Sequence, residues 1–128
     1  MSFYDDMGGE PALRAVLRTL YDRLFDDLMV GFLFAGKDKE RLIEHQLWFT
    51  ARFLGGPSRY EGKSIPDAHA ALPLLPGHFD RRHHLLAEAL DSLKPKKWGR
   101  IDAPPPFHLR LVVQPSKILL FILYASIV

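Results

Sequence analysis

The chain has 128 residues, 48% apolar and 25% charged, which suits one domain able to bury one core. A formal net charge of +2 leaves no basic footprint for nucleic acid. With no cysteine, disulfides, zinc–thiolate sites, iron–sulfur clusters and thiol catalysis are excluded, and a cytoplasmic setting fits. The start, Met1-Ser2-Phe3-Tyr4-Asp5-Asp6, is acidic, has no apolar run and does not read as a secretion signal.

Gly8-Gly9 breaks the chain, and Pro11 suits the first turn of a helix. Leu13, Val16, Leu17, Leu20, Leu24 and Phe25 follow at helical spacings, which predicts one apolar face running to about Asp27. Leu28 to Ala35 is a short apolar corner, too irregular for a strand, closed by Gly36. A second helix is expected from Lys37 to Leu54, stopped by Gly55-Gly56-Pro57. It carries two stripes. Ile43, Leu47 and Ala51 form one; Leu42, His45, Gln46, Phe49 and Phe53 form the other. A surface helix needs one such stripe, so this one is expected to lie between the core and a second body that includes a polar or metal centre.

Tyr60-Glu61-Gly62-Lys63 reads as a turn. Ser64 and Pro66 fit the cap and first turn of a short helix through His69 to Leu72, ended by Pro73 and Pro76-Gly77. Phe79, Arg82, Leu86, Leu90 and Leu93 mark a further helix from about His78 to Leu93. Lys94-Pro95-Lys96-Lys97 is a solvated break, and Pro104-Pro105-Pro106 cannot sit inside a helix. The apolar run from Ile118 to Val128 falls short of the roughly 20 residues that span a bilayer and reads as a buried terminal element. The expected architecture is all-α, a single domain over residues 1–128 with an atypical, proline-interrupted C-terminal segment.

Six histidines are the metal-binding inventory, and the His-Glu-x-x-His spacing is absent. His83 and His84 are adjacent and point about 100° apart on a helix, so they do not chelate together. Asp80, His84 and Glu88 share one face, which is read as solvated and charged. The carboxylates form no hydrolytic pair, and no catalytic side chain is singled out. His45 and His69 each lie in apolar sequence, where a boundary histidine is as natural as a ligand.

The order of motifs narrows the choice. Gly8-Gly9, Leu20-Tyr21, Phe32-Leu33-Phe34-Ala35, His45-Gln46 with Phe49, Leu54-Gly55-Gly56-Pro57 with Tyr60 and Gly62, Asp67-Ala68-His69 and Gly77-His78-Phe79-Asp80 follow one another at intervals that resemble the truncated haemoglobins, group I most closely. No single motif is specific; the ordered set is. It covers about residues 3–93 and leaves 94–128 divergent.

The resemblance implies a two-over-two helical sandwich around haem. His69 matches the proximal histidine that ligates the iron. Tyr21 and Gln46 match distal donors to the bound ligand. Phe34, Phe49, Ile65 and Phe79 match apolar haem contacts, and Leu42 occupies a distal position often polar in the family, making the pocket drier. Arg41 sits where a cation could pair with a haem propionate. His45 matches a position where some members carry a sixth iron ligand; here it either binds iron or points to a propionate or solvent. The family usually ends in a long closing helix, which the triple proline interrupts.

The implied function is reversible binding of dioxygen and other diatomic ligands, nitric oxide and carbon monoxide among them. Nitric oxide dioxygenation is a related activity; it would need a separate, unidentified reductase, since nothing in the chain resembles a flavin or nicotinamide domain. Two alternatives stay open. One is a six-coordinate haem protein for electron transfer or redox sensing through His45 and His69. The other is a haem-free helical interaction module, self-associating through its apolar tail.

Overall fold

The computed structural model describes residues 3–58 and 72–93, together with residues 61, 67 and 70. Among the described residues every regular element is helical: α1 (Phe3–Asp6), α2 (Gly9–Asp26), a 3₁₀ turn (Gly31–Phe34), α3 (Lys39–Leu54) and α4 (Pro76–Leu93). The expected all-α class therefore holds. Most of the expected short helix through His69, with Ile65, and the segment from residue 94 onward lie outside the described residues; of that helix Asp67 is helical, Ala70 lies in a turn and Leu72 in a bend.

α2 organises the rest and packs against α1, the 3₁₀ turn, α3 and α4. Its face is the one that the spacing predicts: Leu13, Val16, Leu17, Leu20 and Leu24 are buried, with Tyr21 among them. The helix starts at Gly9, two residues before Pro11, because Gly8 adopts a left-handed φ of 110° that turns the chain into it. Periodicity gives no sign of α1, whose four residues are too few to show one. Its Tyr4 ring lies over Gly56, where an added Cβ would sit 2.5–2.7 Å from three ring carbons. A glycine is needed there for close approach.

α3 begins after Asp38 rather than at Lys37. The Asp38 carboxylate accepts from the Arg41 amide at 3.2 Å and caps the helix. It ends as expected at Gly55, φ 82°, with the Gly56 amide donating to the Ala51 carbonyl at 2.9 Å. Three ion pairs order α2 and α3 as antiparallel neighbours: Arg14–Glu44 at 2.8 Å, Arg18–Glu40 at 2.7 Å and Asp22–Lys39 at 3.0 Å. One partner number rises as the other falls. Arg23–Glu88 and Asp27–Arg81 set α4 antiparallel to α2 in the same way. Beneath these pairs, most of them solvent-accessible, Ile43, Leu47 and Ala51 of α3 and Leu86, Ala89 and Leu90 of α4 meet the α2 face and form the core. That contact supplies most of the stability, since exposed ion pairs contribute little. None of the described helices is long and apolar enough to cross a membrane.

Asp27 closes α2 and ties the corner to α4. One carboxylate oxygen accepts from the Met29 and Val30 amides, at 3.0 and 3.2 Å. The other accepts from Arg81 Nε and Nη2, at 3.0 and 2.7 Å. The side chain is only 7% exposed. The Arg81 hydrogen bonds hold the carboxyl below the usual range, helped by the two amides and opposed by burial. A lowered folded pKa means stabilisation that is complete above the ordinary carboxylate value of about 4 and is lost as pH falls through the lowered one. Asp27→Asn should cost about 1–3 kcal/mol at pH 7, with the gap to wild type closing in acid. Equal denaturation midpoints at pH 7 would contradict the role.

Candidate functional site

The second stripe of α3 has a different surrounding from the first. Ile43, Leu47 and Ala51 are fully buried. Leu42, Gln46 and Phe49 are only half-covered, and His45 is exposed. Helix geometry explains the pairing, since positions three and four apart share a face and the two sets lie side by side around the axis. Leu42 packs on the edge of the core, and so does Phe34 from the 3₁₀ turn. A strip of apolar side chains thus runs along the core with one side uncovered.

Tyr21 meets this strip from α2. Its ring is buried and stands edge-on to Phe34, with centroids 6.1 Å apart at 90°. Phe34 in turn lies against Phe25, centroids 5.2 Å apart, and the Lys39 ammonium sits 4.9 Å over the Phe25 ring. This aromatic chain fixes the corner that the sequence shows only as an irregular apolar run. Gln46 is held within its own helix, its Nε2 donating to Thr50 Oγ1 at 2.7 Å. Thr50 is fully buried.

α4 contributes Phe79, half-buried near its start, and His78, whose ring meets Phe32 edge-on at 5.6 Å. The Leu75 amide donates to His78 Nδ1 at 3.0 Å, which anchors the entry to α4. One turn on, Arg82 is buried. Burial pulls its guanidinium below the ordinary range, and the oxygen of the Tyr21 phenol beside it opposes that shift only in part. Even so, Nη1 and Nη2 make no hydrogen bond among the described residues. His83 is buried and His84 is exposed, 3.0 Å from Glu88. Among the described residues no three His, Asp or Glu gather as a metal site.

The structure therefore sets Tyr21 edge-on to Phe34, with Leu42 also packed against the core, Gln46, Phe49 and Phe79 half-covered, and Arg41 and His45 exposed on α3. His69 and Ile65 lie outside the described residues. Sequence reasoning missed Thr50 and the burial of Arg82. The position of Thr50, four residues after Gln46, was available as a signal for the first. For the second, the only signal was a cation falling on an apolar stripe.

A family model described as bacterial-like globin matches residues 2–102. A group 1 truncated hemoglobin from a Nostoc species is 34% identical over 89 residues, which is 70% of this chain and 75% of that protein. The truncated hemoglobin of Tetrahymena pyriformis, solved in its Fe(III) form, matches with a TM-score of 0.68 at 32% identity and covers 73% of this chain and 80% of its own. The 2/2 hemoglobin of Synechococcus sp. PCC 7002, in the cyanomet state with covalently attached heme, gives a TM-score of 0.67 at 28% identity over 73% of this chain and 79% of its own.

Haem needs an apolar slot with a few polar groups at defined points. The described residues fit it. Half-covered Phe34, Leu42, Phe49 and Phe79 offer apolar surface that the core leaves open, and exposed Arg41 suits a carboxylate rim. The orphaned Arg82 nitrogens beside Tyr21 mark a buried polar point.

The Gln46–Thr50 bond can be tested by itself. In a double-mutant cycle of Gln46→Ala and Thr50→Val, the coupling energy should be about 1 kcal/mol. A coupling of zero would mean that Thr50 does not hold the amide in solution.

Proposed function

Since this chain belongs to the bacterial-like globin family, as a truncated haemoglobin with haem as its cofactor, we propose that residues 1–128 form one globin domain that reversibly binds dioxygen and other diatomic ligands. His69 is its protein ligand to iron, and Tyr21 and Gln46 are the donors on the opposite side. Haem supplies the iron that takes the ligand; the protein sets how tightly it is held and what surrounds it.

The observation that carries this reading is Tyr21, a buried phenol held edge-on by Phe34. A hydroxyl shielded from water is a strong donor, because little water competes for it. Its proton can serve a ligand that draws electron density from iron. Gln46 supports it. An amide NH2 has two donors; one is committed to Thr50, which orients the group and leaves the second for the ligand. Leu42 beside them keeps the pocket dry, while Phe34, Phe49, Ile65 and Phe79 are assigned to the faces of the porphyrin.

The exposure of Arg41 supports a propionate partner. His45, also exposed, is better placed for a propionate or solvent than for iron, which favours an open sixth position over permanent six-coordination. Nitric oxide dioxygenation remains a reaction that such a pocket could host: nitric oxide, dioxygen and one electron give nitrate. The electron would come from a separate reductase, because no part of the chain provides one.

Removing the phenol hydroxyl should cost one hydrogen bond to the ligand and little else. Tyr21→Phe is expected to speed dioxygen dissociation about tenfold or more, measured by stopped-flow after reduction. An unchanged rate would overturn the assignment of Tyr21.

A further inference from the structure

Among the described residues, Thr50, Arg82 and His83 are buried polar residues, and Arg82 carries a permanent charge that, unlike the nearly buried Asp27 carboxylate, has no ion pair. Arginines on an apolar stripe ordinarily lay their stem along the core and keep the head in water. Arg82 does not. It is 9% exposed, and both terminal nitrogens are cut off from water without a hydrogen bond among the described residues. Arg81, its neighbour in sequence, shows the ordinary behaviour: one-third exposed, with two bonds to Asp27. A buried cation with only a neutral phenol oxygen beside it is compensated in part, and its two orphaned nitrogens still lack acceptors. Its donors are therefore set for a partner that is negatively charged.

Its surroundings say where that partner sits. Arg82 lies one turn after Phe79 on α4, on the face that also carries Leu86 and Leu90 into the core against α2. The guanidinium stands beside the Tyr21 phenol. A guanidinium has donors only, so the phenol oxygen can turn just its lone pairs toward it. The phenol proton is then left to point elsewhere, and the adjacent positive charge makes it a better donor.

We propose that Arg82 is a buried cation on the ligand side of the haem, and that together with Tyr21 it binds small monoanions such as azide, fluoride or nitrite at that site. The inference rests on the reading of Tyr21 as the distal donor. Arg82 supplies the charge, Tyr21 supplies the directed hydrogen bond, and the apolar strip from Phe34 to Leu42 keeps water from screening either. The site is thereby selective for an anion over a neutral ligand of similar size.

The test compares an anionic with a neutral ligand on the same ferric, haem-loaded protein. Azide and imidazole are titrated at pH 7 into wild type, Arg82→Met and Arg82→Lys. Azide affinity should fall about tenfold or more in Arg82→Met and less in Arg82→Lys, while imidazole affinity stays within about twofold. In the reduced carbon monoxide adduct, the C–O stretch should rise in Arg82→Met as the positive field is removed. If Arg82→Met does not retain haem, Arg82→Gln serves in the same titrations. Azide and imidazole changing together would overturn the proposal by showing a steric effect. Unchanged azide affinity with faster haem loss, cured by esterifying the propionates, would place the guanidinium on a propionate and also overturn it. Either result with a fast-releasing Tyr21→Phe removes this proposal alone; an unaltered Tyr21→Phe removes the distal reading beneath it as well.

Discussion

The face that α2 turns to the core fixes where every other element lies. Leu13, Leu17, Leu20 and Leu24 are each fully or almost fully removed from water, which sets the rotation of the helix about its axis. Tyr21 falls between Leu17 and Leu24 at spacings of four and three, so burying those leucines also buries the phenol. α3 and α4 pack antiparallel on the same helix, and Tyr21 is buried on it with its ring edge-on to Phe34. Core packing thus positions the polar group directly, without a loop to carry it. A shift of α2 by one residue would remove the phenol and much of the core together.

α3 is subject to a second constraint, since it must serve two bodies at once. Its first stripe closes the core, and in its second Leu42, Gln46 and Phe49 are half-covered, which leaves them open to the haem proposed there. Its limits matter for the same reason. Asp38 fixes the first turn through the Arg41 amide, and Gly55 with Gly56 fixes the last. Thr50 lies within the core yet holds Gln46, so an order imposed by packing passes to a side chain at the site. Asp27 does the equivalent work on the other side, joining the end of α2 and the aromatic corner to α4.

Much of this was legible in the sequence. The α2 leucines, the two stripes of α3 and the glycine stop at its end all follow from the 3.6-residue period and from the backbone freedom of glycine. The start of α3 was placed two residues too early because Lys37 and Asp38 are both polar, and only the carboxylate–amide geometry shows which of them caps. α1 escaped because four residues carry no period. The aromatic and distal positions proposed for the site rest on an ordered set of motifs, whereas the burial of Arg82 had no such signal. An arginine on an apolar stripe is normally a snorkelling side chain, and nothing local distinguishes that from a buried one. The difference lies in how closely α2 and α4 pack, which is a tertiary fact.

The central claim is that this helical frame holds haem through His69. The most direct measurement is the iron–histidine stretch in the resonance Raman spectrum of the reduced, carbon monoxide-free protein, for wild type, His69→Gly and His69→Gly with added imidazole. A single iron–histidine band in wild type, lost in His69→Gly and restored at a shifted frequency by imidazole, is the expected result. A band that persists unaltered in His69→Gly would contradict the account, because another side chain would then hold the iron.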